Sequence, residues 1–252
     1  MSETHHDLPS ATDLSGAPEA PALHPRTSLA PADIDSATLK WRFHDPVQFF
    51  NNPFRRVFHN ISQFALWTFF IICFGYTVRG RENIPPVSAG TFIAVGNHTS
   101  AWDPPLMGTS IFPRPVAFMA KAEFFQRFWT GWWLGHMLGS FPVNRNKVEK
   151  GTLKTAKALL QKSPWCLGVF PEGTRVRTGN LQNFKRGAAV ISHISGKPLL
   201  PIAIVWKPSR LWKKRAFIQI GTLLPPCYDT DTAGQQLQDA ITGLMKKLHS
   251  ES

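Results

Sequence analysis

Short apolar runs alternate with stretches of helical period along most of this chain. Runs rich in strand-forming residues occur at 76–78, 91–95, 116–119, 140–143, 166–170, 200–205 and 217–220. Between them, 148–161 places Leu153, Ala156, Leu159 and Leu160 on one helical face. Near the end, 233–249 repeats Leu237, Ile241, Leu244, Met245 and Leu248 at helical spacing. Strands interleaved with helices in this way predict an α/β fold, a mixed and largely parallel sheet covered by helices. No internal repeat interrupts the pattern.

Upstream of residue 76 the character differs. Residues 1–40 are rich in Pro, Ala, Ser, Thr and Asp, with little that could enter a core, and read as a disordered acidic tail. His5-His6-Asp7 lies within it, a flexible cluster without further ligands. From Trp41 the chain turns apolar: Val47, Phe49, Phe50, Phe54, Val57 and Phe58 flank Arg55 and Arg56, and 61–76 is almost wholly apolar. Sixteen residues rise about 24 Å as a helix, short of the roughly 30 Å hydrocarbon core of a bilayer. Residues 41–76 are therefore expected to form a membrane-docking helical segment that dips into one leaflet, with arginines and aromatics at headgroup level. A core helix of a soluble protein has the same length and composition. Residues 77–252 form the expected catalytic domain.

Charge sharpens this picture. The net charge is +12, yet residues 1–40 hold six acids against Arg26 and Lys40, which leaves 26 basic and 10 acidic side chains in the remainder. A body this basic expects an anionic partner, whether nucleic acid, anionic lipid or a phosphorylated substrate. Cys73, Cys166 and Cys227 are odd in number and lack CxxC spacing, so buried, reduced thiols in a cytosol-facing compartment are expected. The N-terminus carries no basic stretch followed by an apolar run, as a secretory signal would.

Two segments carry candidate chemistry, Asn97-His98-Thr99-Ser100-Ala101-Trp102-Asp103 and Phe170-Pro171-Glu172-Gly173-Thr174-Arg175. On an ideal helix, His98 and Asp103 would be rotated apart by about 140°. They can meet only across a turn, and Asp103-Pro104 resembles an N-cap followed by proline at the first helical position. His98 would then sit just past a strand end, where open α/β sheets place their sites. A carboxylate accepting the Nδ1 proton would leave Nε2 as a base. In the second segment Gly173 permits a close or left-handed turn, Arg175 offers a planar fork suited to phosphate, and Glu172 can meet a substrate hydroxyl or a cation. Taken singly, each segment equally fits an ordinary capped loop or a surface turn.

Together the two segments resemble the first and third motif blocks of the glycerolipid acyltransferases, the 1-acylglycerol-3-phosphate acyltransferase group. Gly139-Ser140-Phe141-Pro142-Val143-Asn144-Arg145 resembles the second block, with Asn144 in place of the frequent aspartate, and Leu200-Pro201-Ile202-Ala203-Ile204 resembles the fourth. The likeness covers roughly residues 75–225, with the blocks in order. It implies a glycerol-3-phosphate acyltransferase-like fold, a catalytic pair His98 and Asp103, and an acceptor site using Lys121, Arg145, Glu172, Gly173, Thr174 and Arg175. It also implies no cofactor and no metal. Acyl-CoA or acyl carrier protein would be the donor and lysophosphatidic acid the acceptor, at the cytoplasmic face of a bacterial inner membrane. Thr99 and Ser100 become loop or capping residues, since no GxSxG elbow surrounds Ser100.

Three other readings stay open from the residues. The acceptor is another lysolipid or glycerol-3-phosphate. The protein is a non-catalytic basic binder of membrane or nucleic acid, for which Arg210-Leu211-Trp212-Lys213-Lys214-Arg215 is the best support. Or His98, Asp103 and Glu172 ligate a metal in a hydrolase, although they lack a recognisable zinc spacing. Trp129, Trp132 and Trp133 with Phe124, Phe125 and Phe128 fit a membrane-facing rim, an acyl-chain tunnel or plain core. His136 and His193 read as structural.

Overall fold

A computed structural model of the chain describes residues 46–143, 150–175, 181–211 and 214–250. The expected tail and Arg145 lie outside these residues. Seven strands form one sheet: β1 (Thr77–Arg79), β2 (Ile93–Gly96), β3 (Val116–Lys121), β4 (Ser140–Val143), β5 (Cys166–Val169), β6 (Leu199–Pro208) and β7 (Lys214–Ile220). Their order is β1-β7-β6-β2-β5-β3-β4. Strands β6, β2, β5, β3 and β4 are mutually parallel, β7 runs antiparallel to β6, and β1 runs parallel to β7. The sheet is thus mixed and largely parallel, as the alternation predicts.

Both faces of the sheet are covered, so the central strands are apolar at nearly every position. On β2, Ile93 and Val95 point into one core cluster, while Phe92 just before the strand and Ala94 point into the other. The first cluster takes Phe50 from α1 (Pro46–Asn51). It also takes Ala156, Leu159 and Leu160 from α5 (Lys150–Lys162), Ala188 and Ile191 from α6 (Gly187–Ser195), and Leu237 and Ile241 from α7 (Thr230–Ser250). The second takes Leu66 and Phe70 from α2 (Pro53–Phe74) and Leu106 and Met107 from α3 (Asp103–Ser110).

Helix α2 departs from the expected short apolar segment. Asn52 caps it by accepting the Phe54 N–H (3.0 Å), Pro53 opens it, and Gly75 closes it in a left-handed conformation. Its 22 residues span about 33 Å. Its buried face carries Arg55, His59, Ser62 and Gln63 as well as Leu66 and Phe70. Arg55 donates to the Gly135 carbonyl, and His59 and Gln63 meet the Met137 carbonyl at 3.2 and 3.5 Å. These contacts satisfy carbonyls at the end of α4 (Phe128–His136). A carbonyl only accepts, so His59 Nδ1 carries the proton, and burial pushes the His59 pKa down to about 4, keeping the ring neutral.

The opposite face of α2 is apolar and open: Phe54 is 85% exposed, Ile61 62% and Ile72 66%. Trp129 of α4 is 78% exposed, and Trp132 of the same helix packs edge-on against Phe58 of α2 (5.8 Å). Over 55–63, polar groups turned inward invert the usual amphipathic helix, while Leu66 and Phe70 face the core in the ordinary way. Residues 49–50 behave differently, since Phe50 packs against Trp165 (5.0 Å) in the core. Cys73 is exposed on α2, contrary to the expectation of three buried thiols, whereas Cys166 and Cys227 are buried.

One side chain extends the sheet beyond its last backbone pair. Strand β2 ends at Gly96, opposite Ile202 of β6. Asn97 then donates its amide N–H to the Ile204 carbonyl and accepts the Ile204 N–H, both at 2.8 Å. Asn97→Ala would leave both buried backbone groups without partners, at about 1–3 kcal/mol each. The expected outcome is an unfolding free energy lower by roughly 2–4 kcal/mol at unchanged m-value, measured by urea titration.

Candidate active site

The parallel strands β2, β5, β3 and β4 lie side by side, so their carboxyl ends open on one edge of the sheet. His98 follows β2 by two residues and Glu172 follows β5 by three, while Lys121 is the last residue of β3. Three neighbouring strands at about 4.8 Å spacing place these positions within roughly 10 Å across the sheet. Arg145 follows β4 in sequence but lies outside the described residues.

His98 and Asp103 meet across the turn. Nδ1 lies 3.1 Å from Asp103 Oδ2, and both residues are buried. The same oxygen accepts the peptide N–H groups of Thr99 and Ser100, each at 2.6 Å, and Oδ1 accepts the indole N–H of Trp206 at 3.0 Å. Three of these four contacts come from groups that can only donate, so the carboxylate is the acceptor throughout and His98 Nδ1 carries its hydrogen. Nε2 makes no hydrogen bond to the described residues, and its lone pair is free.

Asp103 is not the expected N-cap. Trp102 occupies that position and Asp103 is the first residue of α3. The next two residues explain the difference, because Pro104 and Pro105 have no N–H to offer a forward-facing cap. The carboxylate therefore turns back to the amides of residues 99 and 100. Ser100 Oγ accepts the Trp102 N–H at 3.2 Å, a local capping role.

The second segment supports the first. Phe170 stacks on the His98 ring with centroids 4.4 Å apart. Glu172 Oε1 accepts the His98 backbone N–H at 3.0 Å, while Oε2 is buried without a partner. Burial pushes the Glu172 carboxyl above the usual range, the neighbouring Asp103 charge adds to this, and the His98 contacts oppose it. Gly173 has φ +74°, so the left-handed turn anticipated there is present. Lys185, whose N–H bonds to the Pro171 carbonyl at 2.9 Å, lies across this glycine: a Cβ at 173 would come within 2.7 Å of its Nζ. Thr174 and Arg175 are exposed, and Arg175 has no hydrogen bond or ion pair with the described residues. Lys121 instead pairs with Glu123 at 2.9 Å, both partly exposed, an ion pair of little net worth.

Sequence reasoning missed four contributors. Trp206 lies beyond the apolar block in β6 and carries no local signal of its partner 103 residues away. Lys185 stands in Phe184-Lys185-Arg186-Gly187, where a cation before a helix is ordinary. Asn97 and Phe170 lie inside the noticed segments, but the roles of their side chains appear only in three dimensions. As for a metal, both Asp103 oxygens already accept from protein donors, and among the described residues no three His, Cys, Asp or Glu side chains cluster to hold an ion. A cavity of about 510 Å³ borders the back of the loop, lined by Thr99, Ser100, Trp102 and Trp206 among others, but not by His98.

A mixed α/β sheet with a buried imidazole–carboxylate pair at its carboxyl edge defines the class, and the comparisons name it. The acyltransferase family model matches residues 75–205, and the chain belongs to that family. It is 32% identical over 165 residues to a 1-acyl-sn-glycerol-3-phosphate acyltransferase of Pseudomonas aeruginosa, covering 64% of this chain and 62% of that protein. It is 35% identical over 129 residues to the protein of the same description from Bacillus subtilis, covering 51% of this chain and again 62% of the relative. The matches thus span about six-tenths of those relatives. The fold is shared with the crystal structure of the 1-acyl-sn-glycerophosphate (LPA) acyltransferase PlsC from Thermotoga maritima, at TM-score 0.59 and 23% identity over 85% of each chain.

Burial of Glu172 has a consequence for stability. A carboxyl that protonates more readily when folded makes the folded state bind more protons than the unfolded one, so its contribution declines as pH rises from the usual carboxylate range through the folded pKa. Glu172→Gln removes this ionisation. The variant should gain stability relative to the parent as pH rises from about 4 toward neutrality, read from unfolding free energies across that range.

Proposed function

We propose that the protein transfers a fatty acyl group from the thioester of acyl-CoA or acyl carrier protein to the free hydroxyl of 1-acylglycerol-3-phosphate, producing phosphatidic acid. The observation that carries this reading is the free Nε2 of a buried, tautomer-fixed His98 on the same sheet edge as the Glu172–Arg175 turn. The relatives described as 1-acyl-sn-glycerol-3-phosphate acyltransferases support the choice of acceptor.

The acceptor oxygen attacks the thioester carbonyl as His98 Nε2 takes the hydroxyl proton, and the Asp103 carboxylate stabilises the imidazolium that forms. Collapse of the tetrahedral species breaks the carbon–sulfur bond, and the imidazolium returns its proton to the leaving thiolate. An ester and a free thiol result, and no acyl-enzyme is needed. Arg175, Lys121 and Arg145 hold the acceptor phosphate, so that its hydroxyl is presented to the base. For Lys121 this means exchanging its exposed Glu123 partner for phosphate. Glu172 grips the His98 backbone, and Gly173 and Thr174 shape the turn.

The substrates are amphiphiles, and the open apolar face of α2 with the exposed aromatics of α4 suits a lipid surface. The buried polar face of α2 is bonded to α4, so the helix docks rather than standing alone in lipid. Free thiols and soluble acyl thioesters fit the cytoplasmic face of a bacterial inner membrane.

A panel of lysophosphatidate, glycerol-3-phosphate and neutral lysolipids with a labelled acyl donor tests the reaction. Lysophosphatidate is expected to be the preferred acceptor; no transfer to any acceptor would overturn the reading. His98→Ala should lower kcat by roughly 10²–10⁴-fold while membrane association persists. Conversely, replacing Phe54, Ile61 and Ile72 together by Ser should weaken co-sedimentation with anionic vesicles at least about tenfold, with an unchanged far-UV spectrum.

A further inference from the structure

The Trp206 indole belongs neither to the His98–Asp103 pair nor to any of the motif segments, yet among the described residues it supplies the only hydrogen bond to one oxygen of the pair. Asp103 is fully buried, and Oδ2 is saturated by two peptide N–H groups and the imidazole. Among the described residues Oδ1 has a single donor, Trp206 Nε1 at 3.0 Å. The two sets of contacts differ in kind. The amides of residues 99 and 100 belong to the same turn as Asp103 and move with it, whereas the indole projects from β6, where Trp206 pairs with Ala216 of β7 and residues 199–202 pair with β2.

The ring itself is held in place. It packs edge-on against Phe74, the last residue of α2, with centroids 5.4 Å apart and planes at 79°. Phe74 in turn packs against Trp102, which immediately precedes Asp103 (5.9 Å). The backbone of β6 is tied to the same loop from below by the Asn97–Ile204 pair of hydrogen bonds. The carboxylate can rotate about its own side-chain torsions in the turn, and the indole is the one contact from outside the turn and its histidine that opposes such rotation.

We propose that Trp206 is a positioning residue for acyl transfer: its indole N–H locks the Asp103 carboxylate plane, and through it the orientation of the His98 ring that presents Nε2 to the acceptor hydroxyl. The inference rests on His98 acting as the base. It assigns Trp206 no contact with substrate, so its loss should act on turnover and not on substrate affinity.

The test compares Trp206→Phe with Trp206→Gln in the full chain. Phe keeps an aromatic ring against Phe74 and deletes the donor, while Gln keeps an N–H donor and deletes the ring. Trp206→Phe should lower kcat roughly ten- to hundredfold, the worth of one hydrogen bond to a buried charge, with KM for acceptor and donor within about twofold. Trp206→Gln should retain several-fold more turnover than Trp206→Phe. The downfield Nδ1–H proton resonance of His98, assigned by its absence in His98→Ala, should be sharp in the parent and broadened or lost in Trp206→Phe. An unchanged kcat and resonance in Trp206→Phe, a loss confined to KM, or Phe outperforming Gln would each overturn the proposal. If Trp206→Phe does not fold, the Gln variant with a parental resonance supports it and one without it overturns it. The resonance needs no substrate. A parent that shows the resonance and its loss in Trp206→Phe, but transfers acyl groups to no acceptor, sinks the proposed reaction and leaves the positioning contact standing.

Discussion

A buried carboxylate needs donors, and much of the site's architecture stems from how Asp103 obtains them. An isolated charge at this depth would be costly to hold. Here it is surrounded by two peptide N–H groups, an imidazole and an indole, drawn from a turn, a strand-end loop and a distant strand. That requirement bends residues 99–102 into a tight return and directs His98 Nδ1 inward. The two prolines after Asp103 contribute by withholding donors, so the charge is drawn toward the loop instead of along α3. The catalytic proposal depends on this one ion being satisfied from several directions at once.

The parallel strands explain why the pieces can gather. Each of β2, β5 and β3 ends on the same edge, so each brings a side chain into one region without long excursions of chain. The division of labour tracks strand position: imidazole and carboxylate stand over β2, the glutamate turn over β5, and lysine at the end of β3. Glu172 links the first two by holding the His98 backbone, and Phe170 supports the ring from one face. Lys121, at the end of β3, is partly exposed, where solvent keeps its charge inexpensive and an anionic headgroup can reach it.

Helix α2 obeys the opposite logic from a surface helix in water. Its polar residues Arg55, His59 and Gln63 each meet a carbonyl at the end of α4, while Phe54, Ile61 and Ile72 face outward. Such a helix suits two media at once, with its polar stripe turned to protein and its apolar stripe left open. Phe74 at its end touches both Trp102 and Trp206, so the helix with the open apolar face and the proposed catalytic pair share a wall.

Much of this was legible in the order of residues. Strand and helix periods located the α/β core because burial on both sheet faces forces apolar runs, and α7 presents the predicted Leu237, Ile241 and Leu248 to that core. The His98–Asp103 pair and the Gly173 turn could be picked out because each depends on neighbours a few residues away, where spacing constrains geometry. What the sequence alone determined is therefore local: periods, turns and short-range pairs. The tertiary fold decided everything that joins distant segments: the indole of Trp206 on Asp103, the side chain of Asn97 extending the sheet to Ile204, Lys185 lying across Gly173, and the inward turn of the α2 polar stripe. Those contacts cross tens to more than a hundred residues, and the direction of a side chain over such a separation is set by sheet order and helix packing, which no spacing along the chain encodes.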